Sequence, residues 1–268
     1  MKHFITSILL LNCYLLHAQT QLGSDIDGEA AVDYSGRSVS INSAGDRVAI
    51  GAYKNDGTGS DAGHVRVYSI PVPVQTTTYV PDDNFEQALI DLGYDDVLDD
   101  TVLTANISGV TSLYVSNDSI SDLTGIENFT SLTHLYCAGN ELDSLDMSSN
   151  TALTFLWCQQ NNLTVLDLSN NPLLTEIRCH ANDLHSLNLS SNTLLEKLSC
   201  KENQLTSIDF SNNIAIKTIN CNENELTNLD VSKTVTLEWL LVSNNKLTSL
   251  DVTNNIHITN LGCYDNQL

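Results

Sequence analysis

A parallel β-solenoid with little helix is the architecture this sequence predicts, and three periodic files of residues predict it. Cys137, Cys158, Cys179, Cys200, Cys221 and Cys263 share a 21-residue spacing, and Val242 holds the rung where cysteine is missing. Three positions after each rung stands an asparagine: Asn140, Asn161, Asn182, Asn203, Asn224, Asn245 and Asn266. Two positions further on stands a leucine: Leu142, Leu163, Leu184, Leu205, Leu226, Leu247 and Leu268. A period that recurs seven times over half the chain is one structural unit stacked on itself.

The unit Leu153-Thr-Phe-Leu156-Trp-Cys158-Gln-Gln-Asn161-Asn-Leu163 fits L-x-x-L-x-L/C-x-x-N-x-L at every fixed position, which is the signature of a leucine-rich repeat solenoid. Each unit then offers one short strand, such as 155–159, that pairs in parallel with its neighbours about 4.8 Å away. Side chains alternate along a strand, so Leu153, Leu156, Cys158 and Leu163 are expected in the core. The asparagines sit where the chain leaves the strand. Their amides, with two donors and an acceptor, are expected to bond the turns of their own and adjacent coils.

The second half of each unit also repeats: Leu166-Asp-Leu-Ser-Asn-Asn171 returns at Ile208–Asn213 and Leu250–Asn255. With 21 residues per coil there is little room for a convex helix, so an extended segment closed by Asx or Ser turns is expected, and the aspartates are read as turn residues rather than metal ligands. Six cysteines in an exported chain suggest three disulfides. A straight file of inward positions on in-register strands suits neither a bridge nor tetrahedral zinc. Buried free thiols acting as small hydrophobes are the expectation, since Val242 takes the same place.

The 268 residues carry a formal charge of −22 with only 11 Lys plus Arg, which excludes nucleic-acid binding by the overall field. After the first twenty residues no stretch is long and apolar enough for a transmembrane helix. Residues 1–18 read as a secretory signal, with Lys2 in the basic region, an apolar run from Phe4 to Leu16, and cleavage after Ala18. Cys13 follows Asn12, too large and polar for lipoprotein processing. The chain is therefore expected to be secreted or on the outer cell surface.

Residues 19–69 alternate short strands (38–41, 47–51 and 64–69) with turns at 44–46 and 56–59. The runs Tyr34-Ser-Gly-Arg-Ser-Val-Ser and Val48-Ala-Ile-Gly-Ala resemble one blade of an integrin-type (FG-GAP-like) β-propeller. The frame from Gln21 to Ala30 is similar to segments joining such blades in secreted Bacteroidota proteins. That resemblance implies an Asp/Gly-rich calcium loop, but 42–47 supplies too few carboxylates for one.

Residues 70–79, with Pro71, Pro73 and three threonines, read as an extended linker. Residues 80–130 read as an N-terminal helical cap and first repeat. Asp83-Asn-Phe-Glu86 is a capping-box-like start, Phe85, Ala88, Leu89 and Leu92 form an apolar face, and Gly93 is the stop. The following Leu113-Tyr-Val115 to Ile126 coil resembles the first repeats of internalin-like surface proteins. Residues 131–268 are the repeats proper, similar to bacterial 21-residue leucine-rich repeat proteins of secreted Bacteroidota type. The last repeat breaks off at Leu268, which suggests a truncated chain that self-associates through an uncapped coil.

Outward strand positions line the concave face, where solenoids bind. Tyr114, Tyr136, Phe155 and Trp157 are expected to form an aromatic cluster there, with His134 beside it and a basic spot of Arg178, His180, Lys197 and Lys201 adjoining. Trp239 and Tyr264 lie further along the same face. Aromatic residues and arginine anchor protein interfaces, and rings also suit sugars. Catalysis finds no support. His134, His180, His185 and His257 have no outward nucleophile, no G-x-S-x-G, H-E-x-x-H or phosphate loop occurs, and Glu202 and Glu223 sit on an open face. The family resemblance implies an extracellular recognition or adhesion module for a protein or glycan, with no cofactor and no metal. The alternatives are a non-catalytic targeting segment of a larger secreted enzyme and an inactive gene fragment.

Overall fold

The computed structural model describes residues 35–41, 43, 47–52, 63–69 and 75–268. The signal segment, Cys13, the segment with the blade-joining resemblance, and the turns at 44–46 and 56–59 lie outside these. The chain divides into two units, 1–74 and 75–268. In the first, β1 (Ser35–Ile41), β2 (Arg47–Ala52) and β3 (His64–Ser69) form an antiparallel sheet in the order β1-β2-β3.

The second unit opens with β4 (Thr77–Tyr79), which pairs antiparallel with β5 (Thr101–Leu103). The stretch read as linker therefore ends earlier than its composition suggested. Thr78 is buried in this pair, because β-branched threonine fits a strand as readily as a linker. Between the two strands lies helix α1 (Asp83–Asp91). Its N-cap is Asp82, one residue before the sequence-based start, with Oδ1 accepting from the backbone N–H of Asn84 and Phe85. Glu86 does not close a capping box. It is fully buried and accepts from the N–H groups of Asp99, Asp100 and Thr101. Phe85 and Leu89 face inward, and Phe85 meets Phe129 with ring centroids 6.4 Å apart. Helix α2 (Thr104–Ile107) then leads into the repeats.

From β6 (Ser112–Tyr114) on, every coil contributes one three-residue strand: β7 (His134–Tyr136), β8 (Phe155–Trp157), β9 (Glu176–Arg178), β10 (Lys197–Ser199), β11 (Thr218–Asn220), β12 (Trp239–Leu241) and β13 (Asn260–Gly262). These strands make one eight-stranded sheet in sequence order, parallel and in register, with Trp157 opposite Arg178 and Thr218 opposite Trp239. The rest of each coil is turns and bends. With so short a repeat the chain must return at once, and a helix has no room to form.

Two files of amides tie the coils together. Asn161 donates through Nδ2 to the carbonyls of Cys137 and Cys158 at 3.0 and 3.1 Å, while its Oδ1 accepts from Leu142 N–H at 3.0 Å. Its counterparts from Asn182 to Asn245 do the same one coil on. The second file is Asn150, Asn171, Asn192, Asn213 and Asn255, which the sequence pattern alone presents as turn chemistry. It is buried, and each Nδ2 donates to two carbonyls of the preceding coil, as Asn171 does to Met147 and Asn150 at 3.0 Å each. The aspartates preceding it are the turn residues: Asp167 Oδ1, for example, accepts from Ser169 N–H at 2.9 Å. All six cysteines from Cys137 to Cys263 are free, five are buried, and burial pushes the Cys137 thiol up to about 12. In the last coil Leu261 and Cys263 are partly exposed, where their equivalents Leu240 and Val242 are buried.

Candidate functional site

Alternation along β6 to β9 turns the middle residue of each strand inward and the flanking residues to the outer face of the sheet, the face expected to be concave. Register then sets equivalent residues one strand apart, and large planar side chains at that spacing touch. Tyr114 and Tyr136 stack with centroids 4.5 Å apart and planes 4° from parallel. Tyr136 meets Trp157 edge-on at 4.9 Å and 87°. The Arg178 guanidinium lies over the Trp157 ring at 3.8 Å, a cation–π contact. A second stack runs alongside, His134 on Phe155 at 4.6 Å, with the His134 Nδ1 2.8 Å from the Thr133 hydroxyl. Burial, then the neighbouring Tyr114, pushes the Tyr136 phenol above its ordinary value.

The centre of the cluster is a residue that the sequence reading did not count as part of the site. Glu176 stands at an outward position, yet it is only 5% exposed. Its Oε1 accepts from Trp157 Nε1 at 3.1 Å and from Arg178 Nε at 2.8 Å, and it sits 2.7 Å from Arg178 Nη2. Its Oε2 lies 3.5 Å from Lys197 Nζ. What the sequence offers is an outward acid with Arg178 two residues on along its own strand, Lys197 opposite it on the next strand and Trp157 on the preceding one.

Acids stand within the expected basic spot. Arg178 and Lys197 share Glu176, and Lys201 is ion-paired with the adjoining Glu202. His180 is half-buried, with its Nδ1 3.2 Å from the Ser199 hydroxyl. Burial first, then Lys201, lowers its pKa below the ordinary histidine value. Positive side chains are present, but Glu176 and Glu202 set among them offset part of their charge.

Trp239 and Tyr264 do not join this cluster. Trp239 is on β12, four strands from Trp157 or about 19 Å along the sheet, beside the half-buried Leu241. Tyr264 follows β13 and is exposed. Polar residues, Thr218, Ser199 and Asn220, occupy the strands between. No group of three or more His, Cys, Asp or Glu that could hold a metal occurs among the described residues.

No protein-family profile matches the chain. The structure of internalin C2 from Listeria monocytogenes aligns with a TM-score of 0.65 over 74% of this chain and 91% of that one, at 18% identity. The fold is an internalin-like leucine-rich repeat solenoid. Internalin J of Listeria monocytogenes serotype 4b is 39% identical over 72 residues, a stretch that is 27% of this chain and 8% of internalin J. The solved functional domain of InlJ from Listeria monocytogenes, which includes a cysteine ladder, is 31% identical with a TM-score of 0.46, over 73% of this chain and 54% of that one. The internalin-like chain thus spans about half of that solved domain and a small part of the curated relative.

Proposed function

We propose that this chain is a recognition or adhesion module, secreted or held on the outer cell surface, that binds a protein or glycan on its concave face. The observation that carries it is the ladder Tyr114–Tyr136–Trp157–Arg178, four planar groups from four successive strands set against one another on the concave face. An exposed and several half-buried rings beside an arginine are the composition of interface anchors. Of the two ligand classes, protein is favoured. A sugar stacks on an open ring face, but Tyr114 covers one face of Tyr136, Arg178 covers one face of Trp157, and His134 and Phe155 stack on each other.

Beads coated with the full chain, tested against immobilised extracellular-matrix proteins and against an array of soluble glycans, examine this directly. Retention on at least one surface, lost on Trp157→Ala and reduced on Trp239→Ala with circular dichroism unchanged, is the expected result. Retention that survives both substitutions would place binding elsewhere than the concave face.

A further inference from the structure

Four basic side chains beside an aromatic cluster look like a site for an anion. The pairing around Glu176 argues otherwise. Its carboxylate is the acceptor shared by the Trp157 indole and the Arg178 guanidinium, with Lys197 on its other oxygen. Lys201 has Glu202. Arg178, Lys197 and Lys201 against Glu176 and Glu202 leave one formal positive charge, in a chain of −22. Sulfate, phosphate and sulfated glycans need cations that are not already neutralised.

We propose that Glu176 is the positioning residue of this surface and that it makes the patch selective for an uncharged hydrogen-bond acceptor rather than an anion. One carboxylate oxygen fixes two planar groups. Trp157 cannot turn about its side-chain torsions without losing its Nε1 bond, and Arg178 cannot leave the ring without losing Nε and Nη2 bonds to the same oxygen. The pair is assembled before a partner arrives, which removes part of the ordering cost of binding. The Nη1 donors of Arg178 are not among the groups that engage Glu176, and the side chain is 40% exposed. They suit a carbonyl oxygen, and a peptide backbone supplies such acceptors at regular intervals.

The proposal rests on the concave-face reading, but its readouts need no partner. The full chain has two tryptophans, so in a Trp239→Phe background fluorescence reports Trp157 alone. Glu176→Leu removes the shared acceptor, and the expected result is stronger acrylamide quenching, lower anisotropy and a shifted emission maximum. Glu176→Gln keeps an oxygen for the indole and removes the charge. It should hold quenching near the parent value and gain a saturable response to sodium sulfate, against sodium chloride at matched ionic strength, that the parent lacks. A saturable sulfate response with Glu176 in place would overturn the selectivity. Unchanged quenching and anisotropy in a folded Glu176→Leu chain would overturn the positioning role. Should that variant not fold, Arg178→Gln decides: it uncovers the ring face, and unchanged quenching would show that the stack is not held. If these outcomes hold while no bead surface retains the chain, the recognition reading fails and the positioning of Trp157 stands.

Discussion

Asn255 donates through Nδ2 to the backbone carbonyl of Thr234 at 2.8 Å and to its hydroxyl at 3.3 Å, so the second amide file continues past the one rung where asparagine is replaced. The Thr234 side chain itself donates only within its own turn, its hydroxyl to the Val231 carbonyl at 2.8 Å. Asn213, one coil earlier, reaches back to the carbonyls of Leu189 and Asn192. The file is therefore a set of cross-coil ties, and Thr234 is its weak member.

Breaking a tie in mid-file is expected to cost more than the natural exception suggests. Asn192→Ala removes two donors from the buried carbonyls of Leu168 and Asn171 and should lower stability by about 2 kcal/mol. Thr234→Asn should raise it by about 0.5–1 kcal/mol, by reaching the carbonyls of Phe210 and Asn213. Urea midpoints of the two variants test both signs.

A second periodic file carries backbone strain. Gln160, Ala181, Glu202, Glu223, Asn244 and Asp265 hold φ between 51° and 57°, where the chain leaves each strand. Glycine holds the equivalent place at Gly139, at φ 67°. Left-handed backbone costs an L-residue about 1–2 kcal/mol, partly offset by the flexibility that glycine adds to the unfolded chain. Ala181→Gly is expected to stabilise by about 0.5 kcal/mol. Gly139→Ala should destabilise, since its Cβ would also press on the Asn117 side chain. Thermal midpoints of the pair should move in opposite directions.

Asp82 ties the first helix to the first coil. Besides its cap bonds it accepts through Oδ2 from Ser121 N–H, Ser121 Oγ and Asp122 N–H, at 2.8, 2.7 and 3.0 Å. Burial pushes its carboxyl up, but the bonds from Ser121, Phe85 and Asp122 outweigh it, and its pKa falls below 3.8. A depressed folded pKa contributes stability that is present above 3.8 and lost as pH falls through the folded value. Asp82→Ala should cost about 2 kcal/mol at pH 7 and progressively less below pH 3.8, measured as the urea midpoint against pH.

The cysteine file should behave as packing rather than chemistry. Burial raises the Cys158 and Cys179 thiols well above their ordinary value, so in the native protein Cys263 is expected to alkylate first and the five buried thiols slowly. Denatured without reductant, residues 137–263 should yield six reactive thiols; fewer would reveal bridges. Cys179→Val should change stability by less than about 1.5 kcal/mol, as Val242 occupies the same place.

Glu176 shows where the sequence stopped being readable. Its outward position follows from alternation, but its burial depends on Trp157 and Lys197 from the strands on either side and Arg178 from its own. Asp82 and Glu86 make the same point: side-chain reach decided which acid caps the helix and which is buried beneath it.

By itself the sequence determined the solenoid, the 21-residue coil, the inward cysteines and leucines, and which side chains alternate to the outer face of the sheet. These follow from period and alternation, which are properties of position along the chain. The tertiary structure decided that the basic spot is offset by acids, that the rings stack on each other, and that a second amide file joins the coils. The ring stacks, the amide ties and the approach of Lys197 to Glu176 depend on distances of a few ångströms between residues about twenty apart, and only the stacking of coils sets them.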